Sequence, residues 1–360
     1  MTAGETPSQE QRSSRRARRV GLTYINGDEK GYSRRRCGRG FTYLSTQGKT
    51  LRSARTRNRI EALAIPPAWE EVWISRDARG HIQATGRDEA GRKQYRYLDR
   101  WHAISATTKF DRMALVGRLL PRIRKRISKD LKRPDLDRRR VLAAVVRLID
   151  QGQLRVGNER YTRDHGSRGV TTLDADNVDF DGIHISLEFE GKSGQQREIE
   201  LNDRKLSQVM RKCEEIDSQF LFCYRDPATD AAEQYRSVDS SDVNEWLRHA
   251  ASERVTAKDF RTWWGSVLAV SSVAPKLATA ETRKEREAAV REAVAETAEA
   301  LGNTVAVCRS SYIHPAILAS AANGELQALL EKVPAEDDAK DKALSSDEQR
   351  FRDLLPFLVS

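Results

Sequence analysis

The sequence predicts an α+β protein: a small, mainly β N-terminal domain, then a larger, mainly α domain interrupted by a β-hairpin. Three observations predict it. Short apolar or period-two runs separated by turns fill the stretch up to residue 97. From residue 112 apolar residues recur four apart, as on one face of a helix. Between residues 183 and 201 the period returns to two on either side of a Gly-containing bend.

Residues 1–19 are polar, end in Arg15-Arg16-Ala17-Arg18-Arg19, and read as a disordered basic tail. Its arginines suit phosphate contacts or plain solvation equally. A β-rich domain is expected over 20–103, with Val72-Trp73-Ile74, a turn at Asp77-Ala78-Arg79-Gly80, His81 to Thr85, and Lys93-Gln94-Tyr95-Arg96-Tyr97 as strands. In the last of these, basic residues and tyrosines interleave, either as on a sheet face laid against nucleic acid or with one tyrosine face in a core and the other residues solvated. A mainly helical domain is expected over 104–360. Residues 112–128 place Leu115, Leu119, Ile123 and Ile127 on one stripe, and 140–151 form a buried helix leading into Arg155. Ile183, Ile185, Leu187 and Phe189 alternate with polar residues, and Ile199 and Leu201 continue after the bend, giving a hairpin with Lys192 at its turn. Helices follow over 204–217, 240–252 and 256–274, then a charged, Ala-rich helix over 280–300 that reads as solvent-exposed and stops at Gly302. A short helix opens at Pro315 and closes near Gly324. The acidic 333–348 segment reads as mobile, ahead of an amphipathic piece from Phe351 to Val359.

Charge is divided unevenly along the chain. Residues 1–150 hold 36 Lys and Arg against 16 Asp and Glu, whereas residues 151–360 hold 27 against 37. That division points the first part of the chain at a polyanion. Four cysteines form no C-x-x-C pair, no apolar run reaches the ~20 residues of a membrane span, and no secretory core opens the chain, so a cytoplasmic protein is expected. Gly191-Lys192-Ser193 imitates the end of a phosphate-binding loop, but the glycine required upstream is Ser186. No nucleotide is therefore expected, and with no carboxylate cluster suited to two-metal chemistry, no metal or other cofactor either.

The chemistry sits in three cationic segments ahead of one tyrosine: LRVGNERY around Arg155, FEGKSG around Lys192, TAKDFRTW around Arg261, and then Tyr312. A phenol, with a pKa of about 10, is a poor nucleophile. Guanidiniums that hold a phosphate and stabilise charge at the reacting phosphorus offset that weakness. Arg, Lys, Arg and Tyr in this order point to phosphodiester transfer onto tyrosine.

The segments LRVGNERY, GVTTL, FEGKSG, TAKDFRTW and CRSSYIHPAIL, in this order, resemble the type IB DNA topoisomerases, in particular their compact poxvirus-like and bacterial branch. Upstream, ALAIPPAWEEVWIS and GHIQATGRDEAGRKQYRY resemble that branch's N-terminal domain, and the likeness runs from about residue 20 to about residue 325. The resemblance implies two domains closing as a clamp around duplex DNA, and relaxation of supercoils without ATP or metal by a chain acting as a monomer. It implies Tyr312 as the nucleophile that forms a 3′-phosphotyrosyl bond, Arg155 and Arg261 as ligands of the nonbridging oxygens, Lys192 as the acid for the leaving 5′-oxygen, and Lys258 as a supporting cation. Asn303 stands where poxviral and eukaryotic relatives carry histidine, which implies a neutral hydrogen-bond donor. His314 is expected to shape a helix start. Lys93, Gln94, Tyr95, Tyr97 and Tyr161 match residues that approach DNA. The rival reading is a tyrosine recombinase, which shares the Arg, Lys, Arg and Tyr chemistry. It expects His-x-x-Arg where Lys258-x-x-Arg261 stands, and a helical N-terminal domain.

Overall fold

A computed structural model describes residues 14–15, 17–26, 29–89, 91–101, 109–110, 112–192, 194–226, 235–333 and 343–358. The chain divides into two compact units, Met1–Thr108 and Lys109–Ser360. The architecture mixes helices with antiparallel sheets.

The first unit is a five-stranded antiparallel sheet in the order β2-β1-β3-β4-β5, with β1 Tyr32–Cys37, β2 Gly40–Leu44, β3 Glu70–Ile74, β4 Ile82–Arg87 and β5 Lys93–Tyr97. A helix, α1 Ala54–Ala62, begins where the Ser53 side chain accepts from the Thr56 N–H. Ile60 of α1 packs with Val72, Ile74 and Ala84 from the sheet, and Tyr32, Tyr43 and Trp69 close over them. Neither α1 nor the β1–β2 hairpin is legible in the sequence, because arginines stand where apolar residues would have marked a face. Arg34 lies over the Phe41 ring at 4.0 Å and donates to the carbonyls of Ile65, Pro66 and Trp69. Arg59 donates to Gln83 Oε1 and the Ser75 carbonyl. Part of the basic excess is thus spent on holding the unit together. In the N-terminal tail, residues 1–13 and Arg16 lie outside the described residues, but Ala17 is fully buried, so the end of the tail packs instead of being disordered.

The second unit is built on α2 Met113–Asp130, α3 Arg138–Gln151, α4 Glu159–His165, α5 Arg204–Glu214, α6 Ser240–Ala251, α7 Ala257–Leu277, α8 Arg283–Ala300, α9 Val305–Ser311, α10 Pro315–Asn323, α11 Glu325–Lys332 and α12 Ser346–Leu358. Three strands, β6 Val178–Asp181, β7 His184–Glu190 and β8 Gln196–Asn202, pair antiparallel in that order. A small pair, β9 Cys223–Arg225 and β10 Tyr235–Ser237, precedes α6. The expected hairpin therefore gains a third strand, and Ile183, at 51% exposure, falls in the β6–β7 turn instead of the core.

Two further expectations are corrected. On α2 the buried stripe is Met113, Val116, Leu120, Ile123 and Ile127, with Leu115 and Leu119 at its margin. A strict spacing of four overshoots one turn of ~3.6 residues and drifts around the helix, so it cannot stay on the core face. The charged helix α8 is not solvent-exposed all round: Ala289, Val290, Ala293, Val294, Thr297 and Ala298 are buried. Small side chains let it lie close against α7 while its glutamates and arginines face water.

The C-terminal end also packs more than its acidity implies. Residues 334–342 lie outside the described residues, but Leu344 and Glu348 are buried. Glu348 bonds both terminal nitrogens of Arg124 at 2.8 Å and accepts from Trp263 Nε1 at 2.8 Å, while Asp150 holds the same guanidinium at 2.8 and 2.9 Å. Helix α12 is thereby fixed onto α2 and α7, with Phe351 edge-on to Trp263 at 5.0 Å. Replacing Glu348 by Ala removes a bidentate partner of Arg124 and orphans the indole N–H. A loss of about 2–3 kcal/mol is expected, read as a lowered urea midpoint at unchanged slope.

Candidate active site

Helix α8 ends in a Schellman turn. Gly302, at φ 57, donates its N–H to the Glu299 carbonyl and Asn303 donates to that of Ala298. The last carbonyls of a helix lack internal donors and lie at the negative end of its dipole. Three arginines, from β8, α7 and the loop between α3 and α4, take them in succession. Arg197, on β8, donates to Glu299 at 3.1 Å and Ala300 at 2.9 Å. Arg261, in the second turn of α7, donates to Leu301 at 2.7 Å and to Gln153 at 2.6 Å. Arg155 donates to Gly302 at 2.9 Å and also to Asn303 Oδ1.

The backbone of Arg155 is pinned from its other side. Its carbonyl accepts from Val170 at 2.9 Å, and that of Val156 accepts from Thr171 at 2.7 Å, which explains why GVTTL accompanies LRVGNE. The adjoining Arg168 N–H donates to the Glu190 carbonyl at the end of β7. The β7–β8 turn closes with a 2.7 Å bond from Gly191 to Gln195, and it carries Lys192, whose Nζ lies 5.4 Å from the Tyr161 ring centroid.

Tyr312 follows α9 and rests on α7. A Cβ on Gly265 would lie 2.7 Å from the Tyr312 carbonyl oxygen, so only glycine permits this approach. Ser266 Oγ donates to that carbonyl at 3.3 Å and accepts from the His314 N–H at 3.0 Å. His314 Nδ1 accepts from Ala316 and caps α10, where Pro315 takes the first position. The tyrosine ring faces two cations, the Arg261 guanidinium at 5.1 Å and Lys109 Nζ at 5.3 Å.

Arg155, Tyr161, Lys192, Lys258, Arg261 and Tyr312 line one cleft of about 260 Å³. Its electrostatics are those of cations held together with too little counter-charge. Burial, and then the neighbouring Arg261, bring Arg155 down to about 10. Burial and then the Lys258 ammonium bring Lys109 down to about 8, against the opposing pull of Asp259. Burial also lowers Arg261, with the Tyr312 hydroxyl working the other way. Two of the buried side-chain nitrogens that have no hydrogen-bond partner among the described residues lie here, Arg261 Nε and Asn303 Nδ2. Because Asn303 must present its oxygen to Arg155, its amide NH₂ is the end left over. An anion that accepted from these donors would relieve both the orphaned nitrogens and the crowding of like charge. Among the described residues no group of His, Cys, Asp and Glu could hold a metal ion, and no helix is long and apolar enough to cross a membrane.

Of the residues singled out in the sequence, Tyr312, Arg155, Arg261, Lys192, Lys258 and Tyr161 meet at this cleft, and Asn303 adjoins it through Arg155. The remaining four belong to the first unit, on the edge strand β5. There Lys93, Tyr95 and Tyr97 share one face, with the two tyrosine rings stacked at 5.7 Å, while Gln94 takes the other face and donates to Asp88. Three cations in or around the cleft were missed, Arg168, which lines it, Arg197 and Lys109. A strand arginine and a lysine before a helix carry no sequence signal that separates them from dozens of others.

Comparison with known proteins identifies the family. The family model described as eukaryotic DNA topoisomerase I, catalytic core, matches residues 99–336, and that of the bacterial DNA topoisomerase IB N-terminal domain matches residues 40–88. The chain belongs to the type IB DNA topoisomerases. DNA topoisomerase 1B of Acanthamoeba polyphaga mimivirus is 29% identical over 285 residues, which cover 79% of this chain and 85% of that one. DNA topoisomerase 1B of Vaccinia virus (strain Copenhagen) is 24% identical over 272 residues, covering 69% and 75%. A solved structure of the XerH site-specific recombinase bound to palindromic difH aligns at a TM-score of 0.34 and 14% identity, over 60% of this chain and 50% of that one, too loosely to bear on the assignment. For this topoisomerase, a Gly265→Ala change should displace the Tyr312 backbone. A loss of about 1–3 kcal/mol in stability is expected from overpacking, with DNA cleavage slowed by more than DNA binding is weakened, as single-turnover cleavage and filter-binding assays would show.

Proposed function

We propose that Tyr312 attacks the scissile phosphate of duplex DNA, forming a 3′-phosphotyrosyl bond and releasing a 5′-hydroxyl strand that swivels before religation. The observation that carries this reading is the meeting of Tyr312 with Arg261 at 5.1 Å in a cleft that Arg155 and Lys192 also line. Arg155 and Arg261 bind the nonbridging oxygens, whose negative charge grows in the pentacoordinate transition state. Asn303 gives its free amide hydrogens to the same oxygens, without carrying charge. Lys192 protonates the departing 5′-oxygen, and the phenolic proton passes to water. Lys258 adds positive charge at the cleft.

One phosphorus–oxygen bond is made for each one broken, so rejoining needs no ATP. Because guanidiniums meet the phosphate charge, cleavage is expected to proceed without a metal ion. On this reading the two units close around the duplex, and Lys93, Gln94, Tyr95, Tyr97 and Tyr161 contact it. The enzyme works as a monomer on DNA in the cytoplasm, since swivelling requires no second subunit. Salt should weaken its hold on DNA steeply.

A supercoiled plasmid incubated in EDTA without ATP tests the reading. Relaxation of supercoils of either sign is expected; strand exchange at paired sites without relaxation would favour a recombinase instead. Tyr312→Phe should abolish covalent DNA adducts and leave binding largely intact. Arg155→Ala and Arg261→Ala should each slow cleavage on the order of 10²- to 10³-fold. Asn303→Asp exchanges the free donor for an anion facing the phosphate, and a comparable loss in cleavage rate with little change in DNA affinity is expected.

A further inference from the structure

Arg197 is the one arginine of the α8 cluster that does not line the cleft, yet its whole length is engaged. Its guanidinium donates to the Glu299 and Ala300 carbonyls, and its atoms lie against Gly302, where an added Cβ would meet them at 2.8–3.0 Å. Its stem, in turn, covers Gly191: a Cβ there would stand 3.2 Å from Arg197 Cγ. Gly191 immediately precedes Lys192, and Arg197 pairs with Phe189 across the hairpin. One side chain therefore spans from the residue beside Lys192 to the bend that holds Arg155, Asn303 and Arg261.

We propose that Arg197 is a positioning residue, which fixes the Lys192-bearing hairpin at the C-terminus of α8 so that the lysine is aligned with the phosphate held by Arg155 and Arg261. The physical reason is that Arg197 ties the hairpin to the end of α8 itself, whereas the Arg168 N–H, donating to the Glu190 carbonyl at 2.8 Å, ties it to the segment that follows α4. The turn is closed by the backbone bond from Gly191 to Gln195, and Lys192 is exposed. A hairpin tip anchored locally can still tilt as a body. Bonding a β8 side chain to two carbonyls of a packed helix removes that freedom where an ångström of error matters most. Burial and then the neighbouring Arg261 lower the pKa of Arg197, and its donors go to two carbonyls, which fits a structural bond better than a role in binding anions.

This inference rests on Lys192 acting as the general acid, and the test separates the two. Single-turnover cleavage is measured with an ordinary duplex and with one whose scissile phosphate has a 5′-bridging sulfur, a leaving group that needs no proton. Lys192→Ala should be slow on the first and restored on the second; if sulfur does not restore it, the general-acid reading fails. Arg197→Met keeps the stem and loses the guanidinium. It should be slowed on the order of 10²-fold on the ordinary duplex and restored by sulfur, and the Arg197→Met, Lys192→Ala double variant should be no slower than Lys192→Ala alone. Arg197→Lys, which keeps a charge that can reach one carbonyl, should fall between and decides the matter if the Met variant does not fold. If the Lys192 variant is restored by sulfur while the Arg197 variants stay slow on both substrates, or are not slowed at all, the proposal is overturned.

Discussion

A helix that stops leaves carbonyl oxygens without partners, and this catalytic unit turns that shortfall into its organising contact. The bend Leu301-Gly302-Asn303 uses two backbone bonds to end α8, and the oxygens of residues 299–302 then accept from Arg197, Arg261 and Arg155. Guanidiniums repel one another, and gathering three of them needs acceptors aligned by something rigid. Neutral carbonyls at the negative end of a helix dipole serve better than carboxylates would. A carboxylate would neutralise the arginines outright and compete with a phosphate for the same N–H groups. Carbonyls hold the side chains in place and leave their charge available.

The second constraint is α7, which serves both the cleft and the core. Lys258 and Arg261 lie in its first turns, Gly265 and Ser266 seat the backbone of Tyr312, and Trp263 between them reaches into the packed interior toward Glu348 and Phe351. The same few residues thus set the distance between an arginine and the tyrosine that it faces. Burial of Arg261 to 4% exposure follows from this arrangement, because the helix face that holds it is also a core face. The C-terminal helix α12 belongs to the same system, since its Glu348 completes the Arg124 and Asp150 network under α7.

Arginine is the residue that most misleads a reading of this chain. Arg34, Arg59, Arg124 and Arg197 all look like solvated charge or polyanion contacts in one dimension, and each spends its donors on the protein itself. For that reason the β1–β2 hairpin and α1 are not legible, although strands with an apolar run or a period of two, β3, β4, β5, β7 and β8, are. The Ala-rich helix α8 misled in the opposite sense. Its charges are real, but alanine and valine at helical spacing are enough to bury one face when the neighbour is close.

What the sequence determined alone was chemistry and order: a tyrosine preceded by Arg, Lys and Arg in recognisable surroundings, turns at Gly302 and Gly324, and a hairpin bearing Lys192. These are local properties, fixed by backbone preference and side-chain type within a few residues. The tertiary structure alone decided which cations face Tyr312, that Asn303 gives its oxygen to Arg155 and keeps its amide free, and that Arg197 joins the hairpin to α8. Hydrogen bonds between residues a hundred or more positions apart leave no periodic trace along the chain, because they depend on where helices and strands stop and on what they stop against.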